Sequence, residues 1–143
     1  MNYYDDKKEL FTVKKLYWLV FISFVFLLRV NFCEASTVEK AFKNNKSDIQ
    51  VKGIGTVIRL LKDDNQGSRH QKFILKLASR QTVLIIHNID IAPRINNIVI
   101  GDIVQFYGEY EWNKKGGLVH WTHRDPNNHH LHGWLKHKES VYQ

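Results

Sequence analysis

Eight histidines occur in this chain, every one beyond residue 69, and six of them crowd the stretch after residue 119. His120-Trp121-Thr122-His123-Arg124-Asp125-Pro126 is followed closely by His129, His130, His132 and Trp134. Neutral imidazole is the commonest metal ligand, and a nearby carboxylate serves either as a further ligand or as the group that fixes the ring's tautomer. His120, His123, Asp125 and His130 therefore form the candidate set for a divalent ion, zinc or another. Residues three apart point to opposite faces of a strand, so His120 and His123 converge only if the strand ends or twists between them. Asp125-Pro126 breaks the chain directly after His123, which makes room for such a bend. Neither H-E-x-x-H nor a cysteine pair is present, so the competing reading is that these histidines cap, hydrogen-bond or face solvent.

A second polar group, His87-Asn88-Ile89-Asp90, falls where a third strand should end, a common place for sites in small barrels. Asn88 and Asp90 are equally suited to shaping a turn through their own backbone. His70-Gln71 opens the partner strand, and a tight turn centred on Ala78-Ser79 would set His70 opposite His87, so the two rings are expected close together. A metal-assisted phosphodiester hydrolase could be built from His87, Asp90, His120, His123 and Asp125 around a water-activating ion, with Arg94 or Arg124 neutralising phosphate.

Aromatic residues interleave with lysines and arginines, the mixture that stacks bases or sugar rings. Phe106 and Trp112 are assigned to packing, leaving Tyr107, Trp121 and Trp134 as exposed platforms. With His70, Arg94 and Arg124 these make up the candidate ligand-binding set. Glu109 and Glu111 share the face of Tyr107 and read as solvated acids. No Walker loop, dinucleotide fingerprint, G-x-S-x-G elbow or catalytic Cys/His pair occurs, which argues against nucleotide-triphosphate, redox and covalent-nucleophile chemistry.

The elements that must position these residues begin after an export signal. Lys7, Lys8, Lys14 and Lys15 precede an uncharged apolar run, Leu16 to Leu28, that ends at Arg29. Its thirteen residues fall short of the ~20 that span a bilayer. Cys33-Glu34-Ala35 offers small residues to a signal peptidase, so residues 1–35 are expected to be removed and residues 36–143 to form one domain. An uncleaved anchor, or a lipid on Cys33, is the alternative. The domain would then work in the periplasm or outside the cell as a monomer, with no stable membrane span and no disulfide, because Cys33 is the sole cysteine. It carries sixteen Lys and Arg against ten Asp and Glu, a net charge of +6 with histidine neutral. That balance favours polyanions such as nucleic acid or anionic glycan, although dispersed charge also serves solubility.

Ser36-Thr37-Val38-Glu39 has the form of a capping box, and Val38, Ala41 and Phe42 then fall at helical spacing. Alternation begins at Asp48. Val51 and Val57 share a strand face with Gly53 and Gly55, a pattern of bending or close backbone approach. A turn over residues 62–68 leads to a strand carrying Phe73, Leu75 and Leu77, and a hairpin returns through residues 81–87. Ala92-Pro93 and Asn96-Asn97 make residues 88–100 a crossing loop. Val104, Phe106, Gly108, Tyr110 and Trp112 share one face of the next strand. Asn113 to Gly117 turns the chain into a last strand, residues 118–123, followed by a polar tail. Five strands, a bent first strand and a crossing segment predict a mainly β fold, a small five-stranded OB-like barrel with a short N-terminal helix.

These residues also resemble a known family. His70-Gln71-x-Phe73, His87-Asn88-Ile89-Asp90-x-Ala92-Pro93-Arg94, Gly101-Asp102, Phe106-Tyr107-Gly108-Glu109-Tyr110-Glu111-Trp112, Gly116-Gly117 and His120-Trp121-Thr122-His123-x-Asp125-Pro126, with His130 and Gly133-Trp134, are similar to the bacterial domain of unknown function 3465. The resemblance runs from Gly53 to Gln143 and departs at Ser79-Arg80, where the family pattern has a glycine. It implies no reaction or cofactor, and it leaves His129 and His132 outside the motif. Three functions are in contention. A module binding a polyanion through a His/Trp-rich pocket stands first. A metal-dependent extracytoplasmic nuclease is the alternative, favoured by analogy to secreted OB-barrel nucleases. A periplasmic metal-binding protein is third.

Overall fold

The computed structural model describes residues 37–143. The expected export signal, with Cys33, lies outside the described residues. Among the described residues no helix is long and apolar enough to cross a membrane.

Helix α1 (Thr37–Lys43) places Glu39 in its first turn and Lys40 and Lys43 in its last, the charge order that complements a helix dipole. Seven residues are too few to hold a helix alone, and its stability comes from burying Val38 and Ala41 against the barrel. The barrel is made of β1 (Ile49–Leu60), β2 (His70–Lys76), β3 (Thr82–Asn88), β4 (Ile103–Glu111) and β5 (Leu118–His120). They run in the order β1-β2-β3-β5-β4, and β1 pairs β4 to close the cylinder. All pairs are antiparallel except β3 with β5, which is parallel at Leu84↔Leu118 and Ile85↔Val119. The expected mainly β, five-stranded OB-like barrel is therefore the observed fold.

Strict alternation fills the interior with Val51, Val57, Phe73, Leu75, Val83, Ile85, Val104, Phe106, Tyr110 and Val119. Fully burying a ring such as Phe73 or Phe106 contributes roughly 1.5–3 kcal/mol, so these positions tolerate truncation poorly. Strand β1 serves two neighbours, pairing β4 over Ile49–Thr56 and β2 over Thr56–Leu60, with an irregularity between Val57 and Arg59 that bends it. Gly53 is required inside this strand, where it pairs with Phe106: a Cβ there would stand 2.4 Å from Cζ of Phe106. The segment between β3 and β4 crosses the barrel end as a loop, burying Ala92, Ile95 and Ile98 as a plug.

Four expectations are corrected. The last barrel strand stops at His120 instead of His123, because Trp121 takes a left-handed backbone, φ 49°. The polar tail contains a hairpin, β6 (Trp134–His137) and β7 (Ser140–Tyr142), with Leu135 fully buried. Because β5 is only three residues long, it covers β4 at Glu109–Glu111 and leaves that edge open at Val104–Tyr107, where β6 pairs. In the β2–β3 hairpin, His70 pairs Asn88 and Gln71 pairs His87, one residue off the expected register. The loop is three residues long, with Arg80 left-handed at φ 73°, and not the two-residue turn that would oppose the histidines. His87 consequently points inward and His70 outward. Finally, Trp112 is 38% exposed and stacks on Phe42 instead of joining the core.

Candidate functional site

Parallel β3 and β5 bring their C-terminal ends, Asn88 and His120, to the same end of the barrel. A cleft of about 160 Å³ opens there, lined by His70, Ile86, Asn88, Ile91, His120, Trp121 and His123. The left-handed residue Trp121 supplies the bend that the spacing of His120 and His123 required. His120 stays on the outer sheet face, while His123, almost fully buried, reaches the cleft from beyond the strand end.

Hydrogen bonds fix what each ring can offer. Nδ1 of His123 lies 2.8 Å from the carbonyl of Arg124, which can only accept, so Nδ1 carries the proton and a neutral ring keeps its lone pair on Nε2. Burial lowers the pKa of His123 and favours that neutral state. His87 stands behind it, ring centroids 6.3 Å apart. Its Nε2 donates to the carbonyl of Pro93 at 3.2 Å, and Nδ1 accepts from the hydroxyl of Thr122 at 2.9 Å. Burial, above all, pushes its pKa down to about 4. Both ring nitrogens of His87 are thus engaged inside the protein.

Asp125 is buried, and its carboxylate accepts the backbone amides of Asn127 (2.9 Å), His129 (2.5 Å) and His130 (2.9 Å). Those bonds hold its pKa below the usual carboxylate value. Its own amide donates to Nδ1 of His132 at 3.1 Å. Asp125 therefore organises the loop that carries His130. Asp90 accepts from the amide and Nε of Arg69 at 2.7 and 2.6 Å, and Arg94 pairs with Asp63 at 3.1 Å; neither lines the cleft. Arg124 is exposed at the rim of the bend. Of the hydrolase set His87, Asp90, His120, His123 and Asp125, the cleft is lined by His120 and His123.

The outer face of β4 holds the two acids, Glu109 and Glu111, that read from the sequence as solvated. Glu109 is the direct partner of His120 across β4 and β5, and Glu111 lies two residues further along the same face. His120 Nε2 is 3.3 Å from Glu109 Oε1 and 3.9 Å from Glu111 Oε1. The donor atoms of these three residues all lie within 4.8 Å of one another. His130 brings Nδ1 to 3.7 Å from Glu109 Oε2, while its ring stacks on Trp121 at 3.8 Å and 17°. A sequence signal existed: a hairpin centred between Lys114 and Lys115 places Glu109 opposite His120. On the same face, Tyr107 lies beside Trp134, ring centroids 6.2 Å apart, and Lys52 Nζ sits 5.6 Å over the Trp134 ring. His137, which the sequence reading passed over, is buried with Nε2 2.8 Å from Asp102 Oδ2 and ties β6 to the start of β4.

Fold and site together define a small closed OB-like barrel with a histidine-lined cleft at one end and an acid–imidazole cluster beside it. The family model described as "Protein of unknown function (DUF3465)" matches residues 20–143, and the chain belongs to that family. A search of curated proteins finds no match.

Proposed function

We propose that this is an exported binding module that recognises a polyanion, nucleic acid or anionic glycan, through one unit held in the His/Trp cleft. The observation that carries this reading is the cleft itself, where His70, His120, His123 and Trp121 meet at the shared end of β3 and β5. At about 160 Å³ it is smaller than the ~300 Å³ lower bound of ordinary ligand pockets, so it suits one ring or one anionic group of a longer chain. Trp121, stacked by His130 on one face, lines the cleft with the rest of its ring, and the neutral His123 ring supplies a lone pair that accepts a hydrogen bond. Tyr107 and Trp134, on the same outer surface, offer a second platform for a neighbouring unit. The excess of basic residues favours anionic chains at long range. The charge-then-apolar order of the N-terminus supports export.

The nuclease alternative has less support, because three of its five residues are committed elsewhere: His87 and Asp125 to internal hydrogen bonds, Asp90 to Arg69. The test is a titration, followed by tryptophan fluorescence, with single-stranded oligonucleotides and with a sulfated glycan. One stacking contact is worth about 1–3 kcal/mol, so Trp121→Ala is expected to weaken binding by roughly 5- to 150-fold. Absence of saturable binding to both probes, or binding indifferent to Trp121→Ala, overturns the reading.

A further inference from the structure

We propose that Glu109, Glu111 and His120 form a binding site for a divalent transition-metal ion, of the Zn²⁺ or Mn²⁺ type, and that the bound ion receives the anionic group of the ligand in the adjoining cleft. The second half rests on the binding reading above; the first does not.

Two buried side-chain atoms among the described residues make no hydrogen bond, Nε2 of His120 and Nε2 of Gln50. Both flank Glu109: His120 is its partner on β5, and Gln50 is its partner on β1. Nε2 of His120 is within 3.3 Å of Glu109 Oε1 and still not aligned for a hydrogen bond. Buried polar atoms are ordinarily satisfied, and an exception needs a reason, of which an absent ion is one. Two like-charged carboxylates on one face repel each other as well, and a shared cation removes that cost.

The ligand set fits the chemistry. Two carboxylate oxygens with one imidazole nitrogen suit Zn²⁺ or Mn²⁺ better than Mg²⁺ or Ca²⁺, which prefer oxygen alone. Ligands about 2.1 Å from a tetrahedral ion stand roughly 3.4 Å apart, so the 4.8 Å spread closes with small side-chain rotations. All three residues sit on paired strands, which fixes their backbones. His130, held by its stack on Trp121, is the fourth group in reach through Glu109.

Charge is what links this site to the cleft. His120 belongs to both, so a polyanion in the cleft must approach Glu109 and Glu111. Without an ion those carboxylates repel it; with one, the local sign reverses and an open coordination position takes a phosphate, sulfate or carboxylate oxygen. The competing explanation of the cluster is a direct contact of His120 with the two carboxylates, which requires no metal.

The experiment uses the untagged chain, stripped with chelator, titrated calorimetrically with ZnCl₂ and with MnCl₂. One ion per chain is expected, with a higher melting temperature when loaded. Glu109→Gln, near-isosteric and on a partly exposed face, should weaken ion binding by about tenfold or more. Glu111→Gln should act in the same direction, and Glu139→Gln, in the exposed β6–β7 turn, should not. Absence of binding, or equal binding by the Glu109→Gln variant, which would assign the ion to the loop histidines, overturns the site. A single-stranded oligonucleotide titrated with and without ZnCl₂ tests the second half. An ion bound with no oligonucleotide binding in either state leaves the metal site standing and removes nucleic acid as the ligand it serves. Oligonucleotide binding of equal strength in both states removes the ion's role in receiving the anion.

Discussion

Gln71 and His87 are direct partners across β2 and β3, and both project into the barrel, where each holds the same crossing loop. Gln71 donates from Nε2 to the carbonyl of Ile95 at 2.9 Å and accepts the Ile95 amide at 3.0 Å, while His87 donates to Pro93. Through Thr122, His87 also fastens the chain beyond β5. The polar end of the barrel is thus sealed by two neutral side chains that tie three separate segments together.

That arrangement predicts a pH dependence of stability. The folded-state pKa of His87 is about 4, against an ordinary value of 6.5, so the unfolded chain binds the extra proton between those values. Its stabilising contribution is complete above pH 6.5 and is lost progressively as pH falls toward 4. At about 1.4 kcal/mol per pH unit the loss reaches about 3 kcal/mol, and His123, shifted the same way by burial, adds to it. The aspartates whose pKa values are lowered, Asp64, Asp90, Asp102 and Asp125, act below their ordinary value of 3.8, under this window. Urea unfolding at pH 7.0, 6.0, 5.0 and 4.5 should show a steady decline in free energy, and His87→Gln should flatten it. A flat profile in the native chain contradicts the account.

Much of this fold is written in local sequence, and the parts that are not have identifiable causes. Alternation over β2, β3 and β4 marks inside from outside without ambiguity, and Pro93 with its neighbouring turn residues marks the crossing loop. The β2–β3 register turns on a single loop residue: nothing in the type of Arg80 announces a left-handed backbone, so a two-residue turn and a three-residue one read alike. Trp134 to His137 is too short and too polar to read as a strand. It becomes one because β5 leaves half an edge of β4 unpaired, which is a property of the whole sheet. The candidate site divides the same way. Crowding of histidines pointed to His120 and His123, whereas Glu109 and Glu111 gain meaning only once pairing sets them beside His120.

The left-handed turn residue gives a second prediction. Arg80 holds φ 73° at the end of the Ala78–Arg80 loop, closed by bonds between Leu77 and Gln81 and between Arg80 and Leu77. A side chain in that conformation costs about 1–2 kcal/mol, while glycine's extra freedom in the unfolded chain returns part of the gain. Arg80→Gly should therefore stabilise the domain by about 0.5–1 kcal/mol, seen as a melting temperature raised by about 2–5 °C. Arg80→Ala, which removes the same charge and keeps the Cβ, should give no such rise. Equal effects of the two substitutions would assign the change to charge and not to the backbone.

Gly133 marks where the returning chain docks, and its replacement should separate the barrel from its site. Its amide donates to the carbonyl of His123 at 2.9 Å, closing the loop that Asp125 organises. A Cβ at this position would lie 1.9 Å from the carbonyl oxygen of Trp121 and 2.6 Å from that of Tyr107. Both obstacles are backbone atoms, one in β4 and one in the bend after β5, so neither yields by rotating a side chain. Gly133→Ala must instead push the segment outward, breaking the His123 contact, misplacing Trp134 on β6 and withdrawing His130 from Trp121 and Glu109. Forced displacement of packed backbone costs about 1–3 kcal/mol or more, enough to lower the melting temperature by about 5 °C or more. Because β1 to β5 close without this segment, far-ultraviolet circular dichroism at low temperature should retain the β signal, while tryptophan fluorescence shifts as Trp121 and Trp134 lose their neighbours. An unchanged melting temperature and emission spectrum would mean that the segment docks without the close approach at Gly133.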